Sequence, residues 1–420
     1  MFSVKDYGAI GNGRVKDTEP IRRAIAACAE NGGGQVVFPN GCYVSGTLEL
    51  LDGVTLYLEK GAVLKASPEL RDFDQLPLPD CDVGKRIGFI YAIGKRDIGL
   101  AGPGTIDFSA DAFFRDDVRM PFPGMQEPLT QEQKEQATLA IVPRLTQPVC
   151  IHDCENVILT DIRLVNSPCW TVSMRGCVHV TVDRVTVDNS LRIPNSDGLG
   201  FGDSADVTVS NCHISCADDC LTFCGTKQAT VQNCVLRSRS TAVRIGYIQD
   251  VTRDLTLSNL VIHDSNRGII LQGSRESRIY NVLIQNVVMH TRLYAGAWWG
   301  SGEPLTLVAG GNGEIRHVMI TNVRAECAHG IALKGQATGN VSDILLRDWQ
   351  LTITGEGDNA YSRFVDFRDE TVTELPEKRM PWYYAEHIER LQVQNITVNQ
   401  AGCAKEWDIT PWIIGGTMQI

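Results

Sequence analysis

Short β-rich segments recur along this chain at intervals of about 23 to 27 residues, and this repeat constrains the fold more than any other feature. The clearest copies, in which apolar and polar residues alternate, begin at Asn156, Val178, Asp206, Ala229 and Asp254. A period of this length is typical of solenoids, in which each repeat forms one coil and stacked coils bury a common core. The repeat therefore predicts an all-β fold, a parallel β-solenoid.

Asparagines recur near the predicted turns of this solenoid. They tolerate left-handed backbone geometry and can hydrogen-bond to their copies on adjacent coils. The residues concerned are Asn156, Asn211, Asn233, Asn259, Asn281 and Asn322.

The N-terminal segment predicts a short capping helix after Asp17 and Thr18, which are N-cap candidates. The apolar residues that follow have helical spacing, and they are Ile21, Ala24, Ile25 and Cys28. Such a helix can cover the open sheet edge at the end of a solenoid, so we expect it to cap the first coils.

The rest of the chain divides by regularity and not by composition. Residues 1–66 hold the cap and the first coils, residues 67–145 are rich in loops with one short helix, and residues 146–420 hold regular coils and a C-terminal cap. Because no Gly/Ser linker interrupts the sequence, we predict a single domain.

The net charge of −11 over 420 residues argues against nucleic acid or an anionic membrane as the main partner. The first residues lack a basic region followed by an apolar stretch, so they do not form a secretory signal. The fourteen cysteines are scattered singly, which favours buried free thiols over a disulfide framework. These features predict a cytoplasmic protein, or a secreted or periplasmic one if the chain was trimmed to its mature start.

Three carboxylates fall about one repeat apart, at Asp197 and at the adjacent pair Asp218 and Asp219. On neighbouring coils, whose strands lie about 4.8 Å apart, they would form one cluster. Glycosidic hydrolysis needs a carboxylic acid that protonates the leaving oxygen and a carboxylate that activates water or attacks the sugar. The cluster therefore predicts the active site of a sugar-cleaving enzyme.

The sequence resembles glycoside hydrolase family 28, the polygalacturonase family, over nearly its whole length. The matching motifs are Val4–Ala9 with Asp17-Thr18 and Gly32–Gly34, Asn166-Ser167-Pro168-Cys169-Trp170, Asn195-Ser196-Asp197-Gly198 and Ala217-Asp218-Asp219-Cys220. The resemblance implies a right-handed, single-stranded parallel β-helix and inverting hydrolysis. It implies that Asp218 is the general acid, that Asp197 and Asp219 hold and deprotonate the water, and that Asn195 binds substrate.

Two departures from the family put its usual substrate in doubt. The family's Gly-His-Gly motif aligns with Ser240–Ala242, so Thr241 replaces the histidine, and its Arg-Ile-Lys motif aligns with Ile270–Gln272, so Gln272 replaces the lysine. Glutamine supplies no charge for a substrate carboxylate. Either Arg244 or Arg267 compensates from another angle, or the reacting sugar is not a galacturonate.

Trp298 and Trp299 form a second candidate binding segment, because flat aromatic faces pack on the C–H groups of sugars. Glu303 nearby could bond sugar hydroxyls or take a catalytic role. An aromatic plug over the side of the solenoid is the equally weighted alternative.

We expect no cofactor and no metal, since Cys212, Cys216, Cys220 and Cys224 have neither helical context nor zinc-site spacing. The sequence thus predicts an inverting, exo-acting glycoside hydrolase on pectin-derived or related cell-wall oligosaccharides or polysaccharides. Two alternatives remain open, a polysaccharide lyase or epimerase on the same scaffold and a non-catalytic glycan-binding solenoid.

Overall fold

The fold was described from a computed structural model of the chain. The structure describes residues 1–117, 130–247, 250–294, 300–355, 364–367 and 372–419. These residues form two compact units, the first from residues 1–119 and 139–217 and the second from 120–138 and 218–420. The predicted single-domain organisation stays a prediction. No helix among the described residues is both long and apolar enough to cross a membrane.

The first unit contains two α-helices, α1 (Thr18–Glu30) and α2 (Ala110–Phe113), and 3-10 turns at Val4–Tyr7 and Leu70–Asp72. Its strands are β1 (Phe2–Ser3), β2 (Asn12–Lys16), β3 (Gly34–Phe38), β4 (Gly41–Ser45), β5 (Leu48–Glu49), β6 (Val54–Leu58), β7 (Ala62–Ala66), β8 (Gly88–Ile93), β9 (Arg96–Ala101), β10 (Thr105–Asp107), β11 (Gln147–His152), β12 (Glu155–Thr160), β13 (Arg163–Val165), β14 (Val172–Arg175), β15 (Val178–Asp183), β16 (Thr186–Asp188), β17 (Leu199–Gly202), β18 (Ala205–Ser210) and β19 (His213–Cys216).

Each regular coil of the first unit gives one strand to each of three parallel stacks. The stacks are β5-β8-β11-β14-β17, β1-β3-β6-β9-β12-β15-β18 and β2-β4-β7-β10-β13-β16-β19. In the second stack Val157 pairs with Val180 and Val180 with Val207, and all three side chains are buried. The predicted repeat is therefore one coil, and its alternating apolar residues form the core.

The predicted N-terminal helix is present as α1, and its predicted apolar face (Ile21, Ala24, Ile25 and Cys28) is the buried one. Asp17 occupies the N-cap position, but its side chain does not cap the helix. Its carboxylate accepts hydrogen bonds from the backbone nitrogens of Ile10, at 2.6 Å, and Gly11, at 3.0 Å. The predicted N-cap position of Asp17 is thus confirmed, and its two carboxylate oxygens bind the preceding loop and not the first turn of the helix.

The second unit contains α3 (Gln131–Gln136) and a 3-10 turn at Gly402–Glu406. Its strands are β20 (Leu221–Cys224), β21 (Lys227–Ser238), β22 (Thr241–Ile245), β23 (Val251–Ser265), β24 (Arg267–Gly273), β25 (Arg278–Thr291), β26 (Leu305–Ala309), β27 (Glu314–Cys327), β28 (Ile331–Lys334), β29 (Val341–Ile353), β30 (Phe364–Asp366), β31 (Val372–Glu374), β32 (Tyr383–Glu386), β33 (Glu389–Gln400), β34 (Trp412–Ile414) and β35 (Met418–Gln419).

Two parallel stacks build the second unit. The short strands form β20-β22-β24-β26-β28-β32-β34 and the long ones form β21-β23-β25-β27-β29-β33-β35, while β30 and β31 pair antiparallel. The predicted class, an all-β parallel solenoid with a short N-terminal helix, is confirmed. The segment 67–145, which the sequence indicated as rich in loops, also holds a regular coil, β8 to β10.

An asparagine ladder crosses the long strands of the second unit. Asn259 donates to Asn233 at 3.1 Å, Asn286 to Asn259 at 3.1 Å and Asn322 to Asn286 at 2.7 Å, in each case from Nδ2 to Oδ1. The four residues have φ between 54° and 57°, the left-handed geometry that bends each strand at a corner. The predicted hydrogen bonding between asparagine copies on adjacent coils is present here.

Candidate functional site

In the first unit, the candidate site consists of the turn from Asn195 to Asp197, just before β17. Asn195 has φ of 58°, a left-handed conformation that asparagine tolerates well. The Ser196 hydroxyl accepts a hydrogen bond from the backbone nitrogen of Ala217 at 3.2 Å, and the Asp197 carbonyl accepts one from Thr171 at 3.1 Å. These contacts hold the turn against the preceding and following chain, so the position of Asp197 is fixed by backbone as well as side-chain bonds.

Arg144 is a buried cation beside this turn, and it was not singled out from the sequence. Its Nη2 donates to Asn195 Oδ1 at 3.1 Å and lies 3.7 Å from Cys169 Sγ, and its guanidinium carbon is 5.5 Å from the centre of the Phe114 ring. Its Nε and Nη1 are buried without a hydrogen-bond partner among the described residues. No short-range pattern marks this residue, since it is 51 positions from Asn195 in the chain.

In the second unit, the candidate site begins with the adjacent pair Asp218 and Asp219, which Cys220 separates from β20 and which are 6% and 4% exposed. The Asp218 carbonyl accepts a hydrogen bond from Ser238 Oγ at 2.6 Å. The two carboxylate oxygens of Asp219 accept hydrogen bonds from Ser240 Oγ, at 3.1 Å, and from Arg244 Nε. Asp219 is therefore held by one hydrogen-bond donor at each carboxylate oxygen.

Arg244 connects Asp219 to the next coil. Its Nε donates to Asp219 Oδ2 and its Nη1 donates to Gln272 Oε1, while Nη2 has no hydrogen-bond partner among the described residues. Burial disfavours its charge, but the Asp219 charge and hydrogen bond outweigh that effect and raise the pKa of Arg244 above its usual range. Arg244 is therefore a fixed cation whose remaining donors are available to a ligand.

The other sequence-predicted polar residues lie in the interior. Thr241 and Arg267 are paired in register on β22 and β24, and neither side chain is exposed. Arg267 Nε is 3.6 Å from Glu303 Oε2, and both of these side chains are 0% exposed. His329, which the sequence did not indicate, is buried nearby, where burial lowers its pKa and the Glu303 charge partly opposes that shift. This group makes a charged network inside the unit and presents no surface to a substrate.

Trp298 and Trp299 lie outside the described residues, so their predicted sugar contact stays a prediction. The three aspartates are divided between the two units, and their meeting as one cluster stays a prediction of the sequence. Within the described residues of either unit taken alone, no three His, Cys, Asp or Glu side chains converge closely enough to hold a metal ion. The cysteines are free thiols, most of them buried.

Two family models match the chain. The model of glycosyl hydrolases family 28 matches residues 134–291, the stretch that carries the three aspartates and Arg244. The model described as rhamnogalacturonase A/epimerase, pectate lyase-like, matches residues 1–73, which include α1 and the first coils.

Curated relatives are similar at low identity. A probable polygalacturonase of Vitis vinifera is 24% identical over 332 residues, which are 72% of this chain and 62% of the relative. An endo-polygalacturonase of Pectobacterium carotovorum subsp. carotovorum is 25% identical over 283 residues, which are 65% of this chain and 61% of the relative. The matched part of the chain thus spans about three fifths of the length of these relatives.

Solved structures show the same fold over most of the chain. A family 28 exopolygalacturonase of Yersinia enterocolitica superposes with a TM-score of 0.72 at 18% identity, over 100% of this chain and 78% of that one. An exopolygalacturonase of Thermotoga maritima superposes with a TM-score of 0.68 at 17% identity, over 94% and 91% of the two chains. The chain therefore has a parallel β-helix fold, and this fold is similar to that of the family 28 exopolygalacturonases.

Proposed function

We propose that this chain hydrolyses glycosidic bonds in pectin-derived oligosaccharides, with inversion at the anomeric carbon. The observation that carries the proposal is the hydrogen-bonded series Asp219–Arg244–Gln272, which ties a buried carboxylate to a fixed cation. The matching model of glycosyl hydrolases family 28 and the relatives named polygalacturonase support the same class of substrate.

The cation in this series supports a uronate as the reacting sugar. Arg244 lies directly opposite Ile270 in the parallel register of β22 and β24, so the two α-carbons are about 4.8 Å apart. Ile270 is the position that aligns with the arginine of the family's Arg-Ile-Lys motif. The cation of the family motif is thus supplied by Arg244 on the neighbouring strand. Gln272, which stands in place of a lysine, accepts a hydrogen bond from Arg244 and carries no charge that would repel it.

The proposed reaction uses the three aspartates in different protonation states. Asp218 gives its proton to the glycosidic oxygen as the bond to the anomeric carbon breaks. Asp197 and Asp219 hold a water on the opposite face of the sugar. One of the two carboxylates takes a proton from this water as the water oxygen bonds to the anomeric carbon. Asp219 suits the base because Arg244 and Ser240 stabilise its ionised form. The one-coil spacing of the three aspartates and the motif resemblance support their meeting in one site.

Arg267 is excluded from the substrate role by its burial and its pairing with Glu303, and the same burial excludes Glu303. Asn195, Arg244 and Gln272 remain the binding residues that we propose from the described part of the chain. We further propose attack at the chain end, because the loop-rich segment predicted at residues 67–145 could close one end of a binding groove. The size of the first product from an end-labelled oligosaccharide tests that preference.

The test is a screen of defined pectic and other cell-wall oligosaccharides with wild type and Asp218→Asn. We expect the substitution to lower the hydrolysis rate by about 100- to 10,000-fold, the usual contribution of a general acid, with an unchanged unfolding transition. Asp188→Asn, the same chemical change at an exposed aspartate that pairs with Arg163, is the matched control and should keep full activity.

Two results would overturn the proposal. Equal activity of Asp218→Asn and wild type would remove Asp218 from the reaction. Products that absorb as unsaturated uronates and disappear with a chelator would identify a lyase, in which a base acts at the sugar C5 and a cation neutralises the uronate.

A further inference from the structure

A cluster of arginines around one tyrosine lies beside the turn that carries Asp218 and Asp219. The cluster comprises Arg237, Arg239, Arg292, Tyr294 and Asp264, and we call it the arginine–tyrosine cluster. Arg239 stands between Ser238 and Ser240, whose hydroxyls contact the Asp218 carbonyl at 2.6 Å and Asp219 Oδ1 at 3.1 Å. The cluster therefore starts one residue from two direct contacts of the proposed catalytic pair.

The single carboxylate of the cluster is already engaged by two of the three arginines. Arg237 Nε donates to Asp264 Oδ2 at 2.9 Å, and Arg292 Nε lies 2.8 Å from Asp264 Oδ1. The Tyr294 hydroxyl also donates to the Asp264 carbonyl at 2.8 Å. Burial opposes the ionised form of Asp264, but the Tyr294 and Arg237 hydrogen bonds outweigh it and lower its pKa. The group thus carries three positive charges against one negative charge.

Arg239 forms no ion pair with a carboxylate of the described residues, although the charge of Asp264 is near enough to favour its charged form. Its guanidinium carbon lies 3.5 Å from the centre of the Tyr294 ring, and that of Arg292 lies 4.4 Å from the same ring. Stacking on the ring fixes the plane of the Arg239 guanidinium. Its Nε and Nη1 are buried without a hydrogen-bond partner in the described part of the chain. Burial lowers the pKa of Arg239, and the opposing effects of Tyr294 and Asp264 do not outweigh burial together with the like charges of Arg237 and Arg292.

We propose that the arginine–tyrosine cluster is a subsite for the carboxylate of a uronate unit next to the bond that is cleaved. This inference rests on the proposed function, which supplies an acidic sugar polymer, and adds a binding site outside the Asp219–Arg244–Gln272 series. A carboxylate is planar and accepts two parallel N–H bonds, which matches a guanidinium held in one plane. A chain of net charge −11 repels polyuronates in general, so a local excess of positive charge is needed to attract an acidic substrate to the site.

The test compares Arg239→Gln and Arg239→Lys with wild type on oligogalacturonides of three to five units and on their methyl esters, which lack the charge. We expect Arg239→Gln to raise KM for the acidic substrates by about tenfold, the loss of one charged hydrogen bond, with kcat within about twofold of wild type. The KM of Arg239→Lys for the acidic substrates should lie between those of wild type and Arg239→Gln. The KM for the methyl esters should not change, a split that a purely structural role would not produce.

Arg324→Gln is the matched control, since it removes one arginine from the exposed face of β27, where Arg324 donates to Gln350. It should leave KM unchanged for both classes of substrate. An equal KM of Arg239→Gln and wild type on the acidic substrates would overturn the subsite, and so would an equal rise for acidic and esterified substrates.

Calorimetric titration with trigalacturonate separates this inference from the proposed function. Binding that weakens in Arg239→Gln supports the subsite even if wild type cleaves no pectic substrate. Cleavage by wild type with titrations that are identical in both proteins overturns the subsite and leaves the proposed function standing. Absence of trigalacturonate binding by wild type also overturns the subsite.

Discussion

Two buried arginine–carboxylate pairs lie on neighbouring strands of the second unit. We propose that one of them takes part in the reaction and that the other only stabilises the fold. Arg244 on β22 pairs with Asp219, and the two side chains are 7% and 5% exposed. Arg267 on β24 pairs with Glu303, and both side chains are 0% exposed. Both arginines were candidates for the same substrate contact on sequence grounds, yet only Arg244 reaches the face that carries the candidate site.

The alternation of side chains along a β-strand explains the difference. Arg244 lies opposite Ile270 in register, and Ile270 is three residues beyond Arg267, so the two arginines point to opposite faces of one sheet. On the neighbouring strand β20, Thr222, opposite Arg244, is partly exposed, whereas Leu221 is buried. An arginine on the partly exposed face of Arg244 can bind a ligand, whereas one on the buried face of Arg267 can only stabilise or destabilise the fold.

Replacing Arg244 should have the largest effect on activity. Arg244→Gln leaves Asp219 buried without its countercharge, which raises the carboxylate's proton affinity and removes the base. We expect kcat on a pectic substrate to fall by about 100-fold or more, within the range of general base catalysis. Steady-state kinetics at several pH values measures this fall. A variant with wild-type kcat would place Arg244 outside the site and would erase its distinction from Arg267.

Replacing Glu303 should give the reverse pattern. Glu303→Gln removes the carboxylate that lies 3.6 Å from the buried Arg267 cation, so we expect the free energy of unfolding to fall by about 3–5 kcal/mol. The kcat of the molecules that remain folded should stay near the wild-type value. Urea unfolding and kinetics on the same samples measure both quantities. Glu326→Gln, at an exposed position on β27, is the matched control. A loss of kcat without a loss of stability would assign Glu303 to the reaction.

The interior network should also respond to pH. Burial lowers the pKa of His329 in the folded chain, whereas an unfolded histidine has a pKa of about 6.5. As the pH falls below about 6.5, the unfolded chain therefore binds a proton that the folded chain does not, and stability decreases. His329→Gln should flatten this decrease in urea unfolding between about pH 7.5 and 5.5.

Other histidines contribute to the same slope, so the variant is compared with wild type and not with a flat line. His152 in the first unit, whose pKa burial lowers to about 4, supplies the same sign of effect. If the dependence of unfolding free energy on pH is the same in His329→Gln as in wild type, protonation of His329 does not contribute to it.

The asparagine ladder should show the smallest effect, because it lies on the exposed side of the coils. Asn286→Ala removes two side-chain hydrogen bonds and places alanine at a φ of 57°, so we expect a loss of about 1–2 kcal/mol in unfolding free energy and unchanged kcat. Asn286→Gly removes the bonds without the conformational strain and should lose less. Equal losses in the two variants would mean that the left-handed geometry contributes nothing.

The parts of the fold that depend on local pattern could be predicted from the sequence. The coil repeat, the apolar face of α1 and the recurrence of asparagine at corners follow from the spacing of residues within about one coil. The N-cap position of Asp17 could be predicted, whereas its hydrogen bonds to Ile10 and Gly11 in the preceding loop could not.

Apart from the asparagine ladder, the side-chain contacts between coils could not be predicted, because they depend on register. Which face Arg267 takes follows from the register of Thr241 with Arg267, and no motif in either strand reveals that pairing. Arg144 contacts a residue 51 positions away, and Arg239 meets Tyr294 across two coils. Sequence patterns indicate which residues can do chemistry, whereas the stacking of coils decides which of them stand together.

The stereochemistry of hydrolysis tests the central claim most directly. Proton NMR of the first products released from a defined pectic oligosaccharide, followed before mutarotation, reports the anomer that forms. The account predicts inversion, because Asp218 acts as the acid on one face while Asp197 and Asp219 direct a water from the other. Products with retained configuration would require a covalent glycosyl intermediate on a carboxylate and would contradict the proposed roles of all three aspartates.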